Sequence, residues 1–225
     1  MSLNVRIEQT ADGSDTLYVP LLNEHYHSVN GAIQESKHIF IQAGLQKVAG
    51  LKKDISILEI GFGTGLNTLL TLLEAEKSAL NIDYTTLEYY PLPIDVVEKL
   101  NYTQQLQQDV KQDYLNLHTA KWNKPEDITA YFRLEKVETD FSRLDFNKSS
   151  KTFDLIYFDA FAPEKQGEMW SQEIFDYLYA CTNPSGILTT YCAKGVVRRM
   201  MQQAGYLVER LPGPPGKREM LRAIR

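Results

Sequence analysis

The sequence predicts a doubly wound α/β domain with seven strands, mostly parallel, helices on both faces and an antiparallel hairpin at the C-terminal end. Three observations predict it. Short apolar, β-branched runs alternate with segments of helical period, the pattern of right-handed strand–helix crossovers and so of a parallel sheet. The run "ILEIGFGTGLN", residues 57–67, sets three glycines at alternate positions directly after the first of those strands. The last two strand-like runs, in "YLVERLPGPPGKREMLRAIR", are joined by Pro- and Gly-rich sequence with no helix between them.

In chain order, "DISILEI" is the first strand of this sheet and "LNTLLTLLEAEK" the helix after it, with apolar residues at helical spacing. "IDYTTLEYY" is the second strand. "PLPIDVVEKL" opens on prolines, which suit a helical first turn. "ITAYFRLEKVE" is the third strand, and the polar stretch at residues 116–129 before it reads as a loop or irregular insertion. "FDLIYFDAF" is apolar enough to be a strand buried on both faces. "SQEIFDYLYACTN" starts with a serine cap and runs into Asn-Pro-Ser-Gly, read as a turn. "GILTTYC" is the fifth strand, and "KGVVRRMMQQAG" is a helix ended by Gly205. Residues 1–50 are expected to form an N-terminal extension, "TLYVPLLNEHYHS" and then a helix over "AIQESKHIFIQAGLQKV", packed on a domain spanning 51–225.

The 225 residues suffice for one sizeable core, and 43% hydrophobic with 24% charged residues is ordinary for a soluble globular protein. Two cysteines, Cys181 and Cys192, are too few for a disulfide scaffold, so a reduced, cytoplasmic setting is expected. No signal peptide is visible, and no apolar run approaches the roughly 20 residues of a membrane span. The net charge of −5 is unevenly spread: residues 194–225 hold eight basic and two acidic side chains, a net +6, against −11 for the rest. Such asymmetry suits either a polyanion partner or a solvated basic face.

A glycine-rich turn between a strand and a helix puts backbone N–H groups at the carboxyl edge of the sheet, where nucleotide-like ligands sit. A dinucleotide fingerprint needs glycine where Leu66 stands, and no Gly-Lys-Ser/Thr follows to make a phosphate loop. What remains is Glu59 one strand step before Gly61, Gly63 and Gly65, which resembles the first motif of S-adenosylmethionine-dependent methyltransferases. Glu88, at the end of the second strand, stands where a doubly wound fold sets a carboxylate on ribose hydroxyls. Asp140 with Phe141 follows the third strand. Asp159 ends the fourth, at the same edge, and a carboxylate followed by an aromatic residue and Pro163 suits an amine substrate.

"EHYHSVNGAIQESKHIFI", "DAFAPEKQGEMWSQEIF", "GILTTYCAKGVVRRMMQQAGY" and "GPPGKREML" together resemble the methyltransferase domain of the MnmC family of tRNA-modifying enzymes, from about residue 17 onward. The resemblance implies a class I, Rossmann-like fold with S-adenosyl-L-methionine as cofactor and no metal. It implies methylation of the primary amine of 5-aminomethyl-2-thiouridine at the tRNA wobble position. Many members carry a flavin oxidase domain, and no second dinucleotide fingerprint follows here. Only the methylation step is therefore implied, without flavin, and a separate enzyme is expected to supply the aminomethyl precursor.

Carried over by position, Glu59, Gly61, Gly63, Thr64, Gly65 and Asn67 would line the cofactor's methionine end, Glu88 its ribose, and Asp140 and Phe141 its adenine. Asp159 would be the catalytic carboxylate, with Phe161 and Pro163 framing the amine. Tyr26, Ser28, Asn30, Gly31 and Glu35 would close over the site. Lys194, Arg198, Arg199, Lys217 and Arg218 would grip the anticodon arm. A proton acceptor is needed because an ammonium has no lone pair; Asp159, a tyrosine such as Tyr26 or Tyr191, or water stay open as that acceptor. Three other readings stay open: a class I methyltransferase acting on another amine or small molecule, an aminopropyl transferase, and a non-catalytic nucleotide-binding module.

Overall fold

The computed structural model describes residues 4–106, 109–143 and 151–225. Strands β1 (Arg6–Gln9), β2 (Asp15–Val19) and β3 (Glu24–His25) form a small antiparallel sheet of their own. A continuous helical stretch follows, made of α1 (Ala32–Ser36), a π-helical segment (Lys37–Leu45) and α2 (Gln46–Ala49). The wider π turn lets Gly44 lie against the main sheet: a Cβ there would come within 3.3–3.4 Å of Leu155, Thr189 and Tyr157.

The main sheet begins with β4 (Asp54–Ile60), which leads through the glycine loop into α3 (Leu66–Ser78). After β5 (Asn81–Glu88) come the short helices α4 (Ile94–Val97) and α5 (Tyr102–Gln105), then α6 (Lys111–Thr119). Strands β6 (Lys124–Asp127) and β7 (Phe132–Glu138) pair antiparallel. Strand β8 (Phe153–Phe158), α7 (Gln172–Cys181), β9 (Thr182–Thr190), α8 (Gly195–Ala204), β10 (Leu207–Pro212) and β11 (Glu219–Ile224) complete the chain.

The strand order is β10-β11-β9-β8-β4-β5-β7-β6. From β4 the chain builds outward in one direction through β5 and β7, then returns to place β8 on the other flank of β4. The connections after adjacent β4 and β8 therefore lead to opposite faces of the sheet, to α3 and α7, which opens a crevice there. Alternate residues of each strand serve two cores. Ile57, Leu155 and Tyr157 face a cluster with the N-terminal helical stretch, α3 and α6. Leu58, Ile156 and Phe158 face a cluster with α7 and α8. All six residues of β8 are buried, as expected for a strand covered on both sides. Each large apolar side chain removed from water there contributes roughly 1.5–3 kcal/mol.

Several expectations need correction. The main sheet has eight strands, not seven, and the N-terminal extension begins with a three-stranded sheet of its own before the expected helical stretch. The added strand is β6, inside the polar stretch at 116–129 that reads as a loop. Its polarity reflects an exposed edge, where Pro125 is tolerated because a sheet edge leaves N–H groups unpaired. Two strands, β6 and β11, run against the parallel block, where a single antiparallel strand is expected. The helix expected over 91–100 is the single turn α4, with Pro93 capping it in an extended conformation. Asn183–Gly186 is no turn between elements. It is an irregularity within β9, where pairing with β8 jumps from Thr182 to Ile187 and Ser185 takes a φ of 63°. The serine cap of α7 is present, with the Ile174 amide donating to Ser171 Oγ at 3.3 Å, and Gly205 closes α8 at a φ of 115°. No helix among the described residues is long and apolar enough to cross a membrane.

Candidate functional site

A cavity of about 970 Å³ opens at the carboxyl edge of the sheet, where the connections after β4 and β8 part. Residues following β4, β5, β7, β8 and β9 all contribute to it, and the stretch from Glu24 to Val29 forms one wall. Its floor is the glycine loop. Gly61, Gly63 and Gly65 have φ values of 94°, 51° and 71°, a left-handed region that side chains resist. Gly65 has a second reason: a Cβ there would lie 2.6 Å from His118 Nε2.

The loop is held by buried hydrogen bonds that centre on Thr64. Its carbonyl accepts from the Tyr114 hydroxyl at 2.8 Å and from His118 Nε2 at 3.1 Å, both on α6. Its hydroxyl bonds His27 Nε2 at 2.8 Å, on the N-terminal wall. Burial pushes His27 down to about 4 and His118 to about 3, so both rings are neutral at physiological pH. A carbonyl can only accept, so His118 carries its proton on Nε2. Behind this clamp, buried Lys136 donates to the His118 carbonyl at 2.5 Å and packs against the Trp122 ring. His27 belongs to the N-terminal motif, but Tyr114, His118 and Lys136 do not stand out in the sequence, because their partners are distant along the chain.

Glu88 accepts from the Gly63 amide at 2.9 Å and from the Tyr90 amide at 2.7 Å, which ties the end of β5 to the loop. Burial raises its pKa above the ordinary carboxylate value. Asp140 accepts from Ser142 and pairs with Arg143 at 3.1 Å, beside buried Phe141, and all of these line the cavity. Asp159 Oδ2 accepts from Asn67 Nδ2 at 2.8 Å. Burial, and secondarily the charge of Glu35, pushes Asp159 up to about 7. Tyr26 and Phe161 meet edge to face at 5.1 Å across the cavity, and the Trp170 indole donates to the Phe161 carbonyl at 2.8 Å to hold the loop after β8. Tyr191 donates its hydroxyl to the Ala160 carbonyl at 2.8 Å.

Other candidates lie elsewhere. Glu59 is fully buried behind the loop and does not line the cavity. Its Oε2 accepts from Thr68 at 3.0 Å and Thr86 at 2.8 Å, which staples β4 to α3 and β5. Gly65, Pro163 and Asn30 also sit outside the lining. Asn30 packs against the turn at Gly216, and Gly31, at a φ of 143°, faces Asp12.

The basic residues divide. Lys217 enters the cavity and pairs with Glu35 at 2.6 Å. Lys194 pairs with Glu164, Arg210 with Glu219 and Arg222 with Glu209, so half of the eight C-terminal cations are already neutralised. Among the described residues Arg198, Arg199 and Arg218 form no ion pair, and Arg199 and Arg218 are exposed.

The cavity lining carries six carboxylates (Glu24, Glu35, Glu88, Asp140, Asp159, Glu168) against Lys217 and Arg143 as certain cations, so it favours cationic groups and repels phosphate. It fits a sulfonium nucleoside in particular: a glycine floor, the Glu88 carboxylate at the end of β5, and a buried Asn67 Oδ1 without a hydrogen-bond partner at its base. No group of three His, Cys, Asp or Glu side chains suited to a metal occurs among the described residues.

Comparison with known proteins agrees with this architecture. A family model described as S-adenosyl-L-methionine-dependent methyltransferase matches residues 98–225. The chain is 29% identical over 228 residues to the tRNA 5-methylaminomethyl-2-thiouridine biosynthesis bifunctional protein MnmC of Cupriavidus metallidurans, covering 95% of this chain and 33% of that protein. It is 29% identical over 211 residues to the MnmC protein of Idiomarina loihiensis, covering 87% of this chain and 34% of that one. The chain thus spans about a third of the length of these relatives. Among solved structures, MnmC2 from Aquifex aeolicus superposes with a TM-score of 0.78 at 23% identity, over 99% of this chain and 70% of that one. Spermidine synthase from Thermotoga maritima gives 0.56 at 13%, over 100% and 81%. Both share the fold.

The burial of Glu59 generates a stability prediction. Its pKa is pushed up to about 8, first by burial, from an ordinary value of 4.5. Between those values the native state binds more protons than the unfolded chain, so stability falls as pH rises. Glu59→Gln keeps an acceptor for Thr68 and Thr86 but does not titrate. Thermal unfolding of the two proteins should differ little near pH 5, and the variant should be the more stable by pH 8–9. A constant difference across that range would show that Glu59 ionises freely.

Proposed function

Since the chain belongs to the S-adenosyl-L-methionine-dependent methyltransferase family, we propose that it methylates the primary amine of 5-aminomethyl-2-thiouridine at the wobble position of tRNA, giving the 5-methylaminomethyl form. The name shared by its relatives supports this acceptor. The observation that carries it is a carboxylate, Asp159, raised to about 7 within an acidic cavity beside the aromatic pair Tyr26 and Phe161. When bound, the cofactor supplies an electrophilic methyl group on sulfur. Gly61, Gly63, Thr64 and Asn67 hold its methionine end, Glu88 its ribose, and Asp140 with Phe141 its adenine. The Tyr26 and Phe161 rings enclose the uracil.

Asp159 has two tasks. As a carboxylate it would bind the acceptor ammonium and orient its nitrogen toward the bound cofactor, which would hold the two reactants in place for transfer. It then takes the proton that the amine must lose. At about 7 rather than 3.8 it is roughly a thousandfold stronger as a base than an ordinary aspartate. Asn67 holds one of its oxygens, and the other accepts no hydrogen bond from the described residues, so it is free for the amine.

The acidic lining keeps phosphates outside, so the RNA backbone runs along the rim while a single base enters. Bases of single-stranded loops are open to such extrusion. Of the four C-terminal cations without an ion pair among the described residues, Arg225 donates to the carbonyls of Ala180 and Thr182, which leaves Arg198, Arg199 and Arg218 to meet that backbone. Arg198, Arg210 and Arg218 all act on Glu219 and help to hold its pKa below the ordinary carboxylate value, Arg210 most strongly through its hydrogen bond. An acidic cavity equally suits a small polyamine, which makes methylation of a free amine the second reading.

Four measurements test the proposal. Glu88→Ala should weaken S-adenosyl-L-methionine binding in calorimetry by about 2–4 kcal/mol, from two lost hydrogen bonds to a charged group; unchanged affinity would remove Glu88 from the site. Asp159→Asn should keep cofactor affinity near wild type and lower methyl transfer to aminomethyl-uridine tRNA by about 10²–10⁴-fold. The wild-type kcat/KM should fall as pH drops through about 7, where Asp159 takes up its proton. Near-normal turnover of that variant, or a preference for polyamines over tRNA in the same assay, would refute the assignment. Finally, Arg198→Ala and Arg199→Ala should each flatten the salt dependence of tRNA binding by a slope of about 0.7–0.9 per lost phosphate contact, with cofactor affinity unchanged. Wild-type slopes in both would move the docking face elsewhere.

A further inference from the structure

Two carboxylates face the inner end of the cavity, and one internal cation stands beside them. Asp159 follows β8. Glu35, on α1, is 8% exposed, and its Oε2 accepts from the Ser28 amide at 2.7 Å. Lys217 comes from the turn between β10 and β11, held by its own amide to the Pro214 carbonyl at 2.9 Å. Its Nζ lies 2.6 Å from Glu35 Oε1 and 4.0 Å from the centre of the Tyr191 ring. The Tyr191 hydroxyl is in turn bonded to the Ala160 carbonyl, next to Asp159. The placement of the cation is therefore built on the same loop that carries Asp159.

We propose that Lys217 is a positioning residue that neutralises Glu35 and so leaves Asp159 as the one inner carboxylate open to an acceptor ammonium. Two carboxylates in a poorly solvated cavity compete, because each disfavours the charge of the other. With Lys217 in place, Glu35 is satisfied by an ammonium of the protein's own, and an incoming amine has a single partner. Without it, Glu35 would capture the amine away from Asp159, or hold Asp159 protonated where a base is needed. The other groups facing Asp159 do not supply this cation. Glu59 of β4 is held uncharged by burial, Tyr191 is a neutral phenol, Asn67 of α3 is uncharged, and His27, which faces Glu35 and Lys217, is a neutral ring. Glu35 and Lys217 act on Asp159 in opposite senses, the first raising its pKa and the second lowering it.

For its catalytic consequence the inference rests on the proposed role of Asp159, but its test reads Asp159 directly in the free protein. The carboxyl carbons of aspartate-labelled protein are titrated by NMR, with the Asp159 resonance identified by its loss in Asp159→Asn. Lys217→Met should move the Asp159 midpoint upward by about one pH unit. Lys217→Arg should restore it, and Glu35→Gln/Lys217→Met should bring it back to the wild-type value or below. Glu35→Gln alone, which leaves the hairpin untouched, should move it downward. An unchanged midpoint in folded Lys217→Met or in Glu35→Gln overturns the inference, as does a rise that persists in the double variant. A purely structural role for Lys217 would lower the melting temperature without this pattern. Methyl transfer to tRNA is measured separately, so failure of the acceptor assignment leaves this result distinct.

Discussion

The hydrogen bonds converging on Thr64 are the constraint on which the site depends. A loop with three left-handed glycines has no intrinsic preference for one shape. Here its shape is imposed from both sides, by His27 from the N-terminal wall and by Tyr114 and His118 from α6. Because both histidines are neutral, no isolated charge has to be buried to make the clamp. Once the loop is set, its Gly63 amide can reach Glu88, and α3 starts where Asn67 meets Asp159. One buried node thereby aligns the ends of β4, β5 and β8. It also ties the segment after β3 to the site through His27, while β2 is fastened separately by Asp15 to Asn101.

Charge is organised as strongly as shape. The C-terminal third looks like a basic surface in sequence, yet half of its cations are paired with carboxylates of the chain. Arg222 also donates to the Ala43 carbonyl, and Arg225 donates to the carbonyl of Ala180, so the hairpin is fastened to the helices around it. What remains is a small group of exposed arginines outside an acid-lined cavity. Under the proposed function this division is useful, since the lining rewards an ammonium while the rim meets phosphate, and neither attraction opposes the other. A net charge of −5 is then no obstacle to a polyanion, because the partner meets local potential and not the total.

Much of the fold was legible because it is written in local periodicity. Strand–helix alternation, the serine cap of α7, Gly205 at the end of α8 and the final hairpin all depend on near neighbours in the chain. The errors fell where local pattern was overruled. An exposed edge strand such as β6 has no apolar alternation to announce it, and the irregularity at Asn183–Gly186 has the composition of a turn but is held in the sheet by its neighbours. Of the candidate site, Asp159, Glu88, Asp140, Asn67, Tyr26 and Glu35 share one cavity because each lies at or just past the carboxyl end of a strand, in the first turn of α3 or in the N-terminal motif. Glu59 resembles them in sequence but lies within β4, before the strand end, where Thr68 of α3 and Thr86 of β5 cover it.

By itself, then, the sequence determined the layered architecture, the edge at which a ligand crevice opens, and the carboxylates available there, because these follow from period, order and residue type. Tertiary structure alone decided which of those carboxylates are dry, which are paired and which meet the cavity. Glu59 and Asp159 are both acids at the end of a buried strand, yet one is stapled between threonines and the other faces an open cavity. Lys217 and Arg218 are adjacent, yet one turns inward to Glu35 and the other stays in water. The reason is physical: protonation and pairing depend on solvation and on groups dozens or hundreds of residues away, and no local pattern encodes those distances.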